Sequence, residues 1–287
     1  MTKAIISHTP LWESIDPIQI VSGPALQMGN LENWTDLRLS KYAGWLNSGS
    51  SLTIRVKVSQ SGGIPDGVRA YVAALLDYRC HINQPVTKTV TIRWRAAVTN
   101  AVMQSDTMTV VYGQNEPWPR HILSIRAPYS PMTSVGAVEF QIDGSPTPLT
   151  IGAIWVGEIL RLPDGVLRSW RMGFQDTGKM TVTRSLSGYS EPGRIARTIE
   201  MTIEGDWEQF FGGDVSFSSD VQTTLFRIGV SKHVLIVPRA LQSAAPNSYD
   251  HQAIQRLAVF GHLVSPPTIE HRGGNRFSTT LHAVELL

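Results

Sequence analysis

The sequence predicts a mainly β protein: an N-terminal β-sandwich of jelly-roll type, then a smaller β-barrel-like domain with one helix. Three observations carry this prediction. Short runs alternate apolar and polar residues, Gly-, Pro- and Asx-rich turns separate them, and a single stretch late in the chain has helical periodicity. At 287 residues the chain exceeds what one hydrophobic core ordinarily serves, which favours two domains. The run of strands changes character near Pro163-Asp164-Gly165, so the expected domains are 1–166 and 167–287.

In order, Leu52 to Val58 is apolar on even numbers and polar on odd, the mark of a half-buried strand, and Thr87 to Arg95 repeats the pattern. Further strands are expected at Met108–Tyr112, Ala137–Ile142 and Ala153–Leu160. Turn-forming residues fill 61–67, 114–119 and 143–148 between them. Beyond the boundary, strands are expected at Lys179–Arg184 and Arg197–Glu204. A helix is expected over Ser218–Gly229: serine caps its start, Val221, Leu225 and Ile228 share a face, and Gly229 ends it. Val234–Val237 is an apolar strand stopped by Pro238. After a loop at 243–250, strands close the chain at Gln255–Leu263 and Arg276–Leu286.

Composition narrows the function. Charged residues make up 17% of the chain, and 25 basic against 23 acidic side chains leave a net charge of +2. That balance excludes extensive disorder and a dedicated polyanion binder, so no sequence-specific nucleic acid is expected as a partner. The low charge suits surfaces covered in an assembly. The single cysteine, Cys80, excludes an intrachain disulfide and a cysteine-based zinc cluster, and is read as a small buried hydrophobe. No run approaches the length of a membrane span and the first residues lack a signal-peptide core. No membrane partner is expected, and the chain is expected to be made in a cytoplasm.

Catalytic motifs are absent: there is no phosphate-binding glycine loop, no nucleophile elbow and no His-x-x-x-His pair with an intervening glutamate. No cofactor and no enzyme activity are expected. His262, His271 and His282 would need to face one side of the second domain to hold a metal, and are read instead as surface or interface imidazoles. Glu200, Glu204 and Asp206 share strand parity with Thr198 and Thr202, which reads as an ordinary polar strand face. The tryptophans say more. Arg93-Trp94-Arg95 and Trp170-Arg171 set an indole beside guanidinium groups, the pairing enriched at protein interfaces, and Trp118 sits in a loop. Trp94, Arg93, Arg95, Trp118, Trp170 and Arg171 are the interface candidates.

In the first half, Asn30-Leu31 leads to Trp45, followed by the Val90–Arg95 strand and Ile151-Gly152-Ala153-Ile154-Trp155-Val156-Gly157-Glu158-Ile159-Leu160. In the second half come Arg197–Ile203, the Val221–Ile228 helix, Lys232–Pro238, Leu257–Leu263 and a last strand ending in Glu285. This series resembles minor tail and baseplate proteins of long-tailed bacteriophages, those with a jelly-roll half followed by a distal-tail-like half. The resemblance implies a galactose-binding-like sandwich closed by the Ile151–Leu160 strand. It also implies a structural virion protein at the tail tip or baseplate, assembled in the host bacterial cytoplasm. Its expected partners are further copies in a ring, trimer or hexamer, around the tail axis, with tail-tube, hub and tail-fibre proteins. The alternative is a carbohydrate-binding protein that grips host surface glycans through sandwich loops, with Trp118 the residue to replace. A polysaccharide hydrolase acting through Glu200 and Glu204 ranks third.

Overall fold

In the computed structural model the chain is mainly β, built from several antiparallel sheets with short helices. The structure describes residues 5–7, 10, 17–37, 39, 41–46, 51–58, 70–80, 86–112, 121–126, 135–144, 148–159, 167–176, 179–182, 188–191, 195–212, 221–230, 232–238, 254 and 256–286. The turns expected at 61–67, 114–119 and 145–147, the boundary at Pro163–Gly165 and the loop at 243–250 lie outside these residues. The chain divides into two compact units. One joins Met1–Arg161 to Leu235–Ala258, and the other joins Leu162–Val234 to Val259–Leu287.

In chain order the first unit contributes β1 (Ile5–Ser7), β2 (Ile18–Ser22), α1 (Glu32–Thr35), β3 (Ala43–Trp45), β4 (Ser51–Lys57), β5 (Ala70–Leu76) and β6 (Arg79–Cys80). It continues with β7 (Val86–Ala96), β8 (Val102–Tyr112), β9 (Ile122–Arg126), β10 (Val135–Gly144), β11 (Leu149–Ile151) and β12 (Ala153–Ile159). Its five-stranded sheet runs β2-β4-β10-β7-β8, and two three-stranded sheets run β12-β5-β9 and β3-β11-β6. Alternation drives the layering. Leu52, Ile54 and Val56 of β4 stand opposite Ile142, Phe140 and Val138 of β10, which in turn face Val90, Ile92 and Trp94 of β7. All are buried in one core with Tyr71, Ala73, Leu75, Ile154, Val156 and Trp45 from the smaller sheets, which makes a sandwich-like arrangement.

β5 and β12 show no polar alternation because both their faces are covered. Val72, Ala74 and Leu76 are as deeply buried as Tyr71, Ala73 and Leu75. On the outer side of β12, the Trp155 indole N–H donates to Ser7 Oγ at 3.1 Å, which ties in β1, and β1 pairs with Leu235–Val237. Trp34 donates to the Ile151 carbonyl at 3.1 Å and Trp45 to that of Pro24 at 2.9 Å, so these buried indoles keep a polar partner. β3 approaches β11 so closely that a Cβ at Gly44 would lie 2.0 Å from the Leu149 carbonyl oxygen, which requires glycine there. Cys80 is half-buried and unbridged, packed against the core. Burial pushes the nearby Tyr78 phenol well above its ordinary range, with Cys80 adding to the rise. Burial pushes Lys88 down, against an opposing effect of Cys80.

The opposite face of the five-stranded sheet is polar and knitted together by one carboxylate. Glu139 Oε1 accepts from Arg55 Nε at 2.8 Å and Nη2 at 2.5 Å, while Arg95 Nε lies 2.6 Å from Oε2. Burial pushes Glu139 up, but the hydrogen bonds and charges of Arg55 and Arg95 outweigh it and hold the carboxyl below the usual carboxylate value.

The second unit contributes β13 (Leu167–Asp176), β14 (Lys179–Val182), β15 (Gly188–Glu191), β16 (Ile195–Asp206), α2 (Trp207–Phe211) and α3 (Val221–Ile228). After β17 (His233–Val237), where the chain crosses between units, come β18 (Val259–Leu263), β19 (Ile269–Gly273) and β20 (Arg276–Glu285). Here β13, β16, β20 and β18 are successive neighbours, β19 also pairs with β20, and β14 pairs with β15. Ile199, Met201 and Ile203 of β16 lie against Ala283, Leu281 and Thr279 of β20 on the buried face. Beside them Arg197 Nε donates to both carboxylate oxygens of Glu285, at 3.0 and 2.9 Å, Nη2 donates to Oε1, and the Arg197 backbone N–H adds a bond at 3.3 Å.

α3 lies within the expected 218–229 helix, with Val221, Leu225 and Ile228 buried and Gly229 in the left-handed region at φ 53°. The expectation of one helix is corrected: α2 is a second one in this unit. Its five residues are too few to show helical periodicity, and a capping box makes it instead. Asp206 Oδ1 accepts from the Gln209 backbone N–H at 2.9 Å, and Gln209 Oε1 accepts from that of Asp206 at 3.0 Å.

Two stability predictions follow from these ion pairs. Glu285→Leu leaves Arg197 buried without its carboxylate and costs about 3–5 kcal/mol in urea unfolding, whereas the double variant Arg197→Met/Glu285→Leu recovers most of that loss. Glu139→Gln costs about 1.5–3 kcal/mol at neutral pH. Because the folded carboxyl sits below its unfolded value of about 4.3, the contribution is complete above that pH and is lost as pH falls through the folded value. The stability gap between wild type and Glu139→Gln should therefore close in acid.

Candidate functional site

The strand β16 ends at Asp206, still paired with β20, and turns directly into α2. Register sets Gly205 opposite Phe277 and Asp206 opposite Arg276, so this corner meets the start of β20. The β19–β20 turn is made by Gly273 and Gly274, both at positive φ (94° and 60°), followed by Asn275. Asn275 Oδ1 accepts from the Trp207 backbone N–H at 3.3 Å and His271 Nε2 lies 2.8 Å from the Gly274 carbonyl, which fixes the turn against the helix.

An aromatic cluster grows on this frame. Phe210 is fully buried and anchors it, with Phe277 at 5.9 Å between ring centres. Phe277 meets Phe211 edge-on at 5.1 Å and Trp207 at 5.7 Å, and Trp207 lies 4.7 Å from Phe211. His271 closes the far side, 5.1 Å from Phe277. Trp207 itself is 55% exposed, a large apolar surface left open to water.

Beside the cluster runs a cleft lined by Glu204, Gly205, Asp206, Gln209, Arg272, Arg276 and Phe277. A Cβ at Gly205 would come within 2.5 Å of Gln209 Oε1, the oxygen that closes the capping box. Arg272 is held in place, its Nε donating to Ser278 Oγ at 2.8 Å and its Nη2 lying 2.8 Å from Glu270. Glu204 and Arg276 are exposed. The cleft thus offers carboxylate acceptors, guanidinium donors and an amide next to an indole. Among the described residues no three His, Cys, Asp or Glu side chains converge to hold a metal, and no helix is long and apolar enough to cross a membrane.

A second surface lies along β13, which ends the strand order. Among the described residues no strand covers its outer edge. Register places Trp170, Met172 and Phe174 opposite Met201, Ile199 and Arg197, on the side where the core lies. Yet Trp170 is 41% and Phe174 65% exposed, since the sheet stops beside them. On the other side of the strand, Arg171 Nη2 meets Glu200 at 2.6 Å in an ion pair open to solvent.

The expected interface residues are therefore scattered. Trp170 and Arg171 are exposed on β13, and Arg93 and Arg95 are half-buried on β7, with Arg95 bound to Glu139. Trp94 is corrected to a core residue. Its even-numbered position points between the sheets, and its indole N–H donates to Ser124 Oγ at 2.8 Å. Trp118 lies outside the described residues. Of the carboxylates, Glu200 is tied to Arg171, while Glu204 and Asp206 line the cleft. Of the histidines, His271 joins the aromatic cluster, His262 is exposed and His282 half-buried. Sequence reasoning missed Trp207, although Trp207, Phe210 and Phe211 directly follow a polar strand face.

No family model and no curated protein matches this chain. Solved structures with distant similarity include the arabinose-bound MgGH51 α-L-arabinofuranosidase, at 14% identity and TM-score 0.34, covering 55% of this chain and 27% of that one. The CBM22-1–GH10 modules of Clostridium thermocellum xylanase 10B with xylohexaose match at 12% identity and TM-score 0.32, covering 54% and 28%. Tailspike protein 4 of bacteriophage CBA120 matches at 9% identity and TM-score 0.29, covering 55% and 19%. The chain thus aligns with less than a third of each of these proteins, and such scores assign neither family nor function.

Proposed function

We propose that the chain is a structural subunit of a long-tailed bacteriophage tail tip or baseplate. In this reading it is not an enzyme. It forms a ring with copies of itself around the tail axis and links the tail tube to tip or fibre proteins. The first unit is then a galactose-binding-like jelly roll and the second a distal-tail-like, barrel-like domain. The sequence resemblance supplies the setting, and one structural observation carries the claim of assembly: β13 presents an edge that no other described strand pairs with, with Trp170 and Phe174 exposed beside the core. Free strand edges are usually blunted by charge, proline or a covering element, because they pair readily with other chains. Here Arg171 supplies charge on the polar side, yet the same strand exposes two large aromatic side chains, a class enriched at protein interfaces. A neighbouring copy adding a strand or packing its own apolar side there satisfies both needs, and head-to-tail contacts of that kind make a ring where the rotation between copies closes.

The second reading is glycan recognition at a host surface. Its original candidate, Trp118, lies outside the described residues, and the observation that favours it lies in the second unit, where exposed Trp207 adjoins the polar cleft.

In analytical ultracentrifugation the purified chain should self-associate or join tail-tube, hub or fibre proteins. Trp170→Lys/Phe174→Lys should weaken that association by about 2–4 kcal/mol, roughly 30- to 700-fold in Kd, without unfolding the chain, because both side chains are already exposed. A strictly monomeric chain that binds no tail protein overturns the reading.

A further inference from the structure

The geometry points to the cleft beside Trp207 as a binding site for a neutral saccharide. The inference rests on the glycan reading and relocates it, from the sandwich loops to the corner between β16, α2 and the β19–β20 turn.

The chemistry of the lining selects the ligand. Two carboxylates, Glu204 and Asp206, line the cleft with two guanidinium groups, Arg272 and Arg276, so neither sign of charge dominates its wall. A nucleic acid would bring phosphates against two carboxylates. Acceptors and donors are interleaved along the same few ångströms of sheet, since register sets Asp206 opposite Arg276 and Glu204 opposite Ser278. A ligand that uses both must offer donors and acceptors on adjacent atoms. Neighbouring hydroxyl groups do this, since each donates one hydrogen bond and accepts others, and bonds from hydroxyls to ionised groups are the stronger kind.

The aromatic side completes the match. A pyranose ring has polar edges and faces of C–H bonds, which an indole covers through burial of apolar area and attraction of the C–H groups to its electron-rich face. Trp207 is exposed for that role, while its ring packs on the touching pair Phe211 and Phe277 and its backbone N–H donates to Asn275. Arg272, held by Glu270 and Ser278, and Gln209, held by the capping box, are likewise set before any ligand arrives. Preorganisation of this kind reduces the entropy lost on binding.

The test is a titration of the full chain with short neutral gluco-, galacto-, manno- and rhamno-oligosaccharides, polygalacturonate and an unrelated peptide, read by calorimetry and tryptophan emission. We expect saturable binding of at least one neutral saccharide. Trp207→Ala and Arg276→Ala should each weaken it tenfold or more, while Trp170→Ala leaves it unchanged. Arg276 is exposed, so its variant keeps the fold if the helical corner proves sensitive to loss of Trp207. Binding lost on Trp118→Ala but kept in Trp207→Ala and Arg276→Ala overturns the site and spares the glycan reading. Absence of any saccharide binding at millimolar concentration overturns both. Binding of polygalacturonate or the peptide alone overturns the assignment of ligand class.

Discussion

Both candidate surfaces are built on β16, and a buried ion pair locks its register with β20. Arg197 and Glu285 are out of water, so a slip of one residue would separate them and leave two charges buried and unpaired. The same slip would turn Ile199, Met201 and Ile203 to the opposite face. β18 joins on equally strict terms, for a Cβ at Gly261 would lie 1.8 Å from the Val284 carbonyl oxygen. With the register set, Asp206 comes opposite Arg276 and Gly205 opposite Phe277, which makes the cleft. On the other side of β16, its pairing with β13 brings Trp170 opposite Met201 at the exposed edge.

The first unit is built on a different plan. Its apolar alternation is used up between two layers, and most of its tryptophans serve as core, each donating its N–H to a protein oxygen. On the polar face of the large sheet, Arg55 and Arg95 are already bound to Glu139, so these charges hold the sheet together before any partner is considered. The exposed aromatic surfaces described above belong to the second unit.

Strands with one wet face were legible in the sequence: β4, β7, β10, β16 and β20 all follow the period of two expected from Leu52, Thr87, Ala137, Arg197 and Arg276 onward. α3 was legible from Val221, Leu225 and Ile228. β5 was not, because Tyr71 to Leu76 is buried on both faces and carries no period. β13 was not either, because its two exposed aromatics break the contrast between a dry and a wet side. The guanidinium neighbours of Trp94 suggested an interface, whereas its strand parity pointed inward, and parity prevailed. The return of Leu235–Ala258 to the first unit depends on pairing of β1 with Leu235–Val237, a contact between residues more than two hundred positions apart that no local pattern encodes.

The central claim, that the open edge of β13 is where this chain meets its neighbours, is tested most directly by amide hydrogen exchange measured across a dilution series. The account predicts that the outward-facing amides between Ser169 and Phe174 gain protection as the chain associates, while those of β4 and β10 in the first unit stay unchanged. Exchange along β13 that is the same in the dilute and the associated state would contradict it.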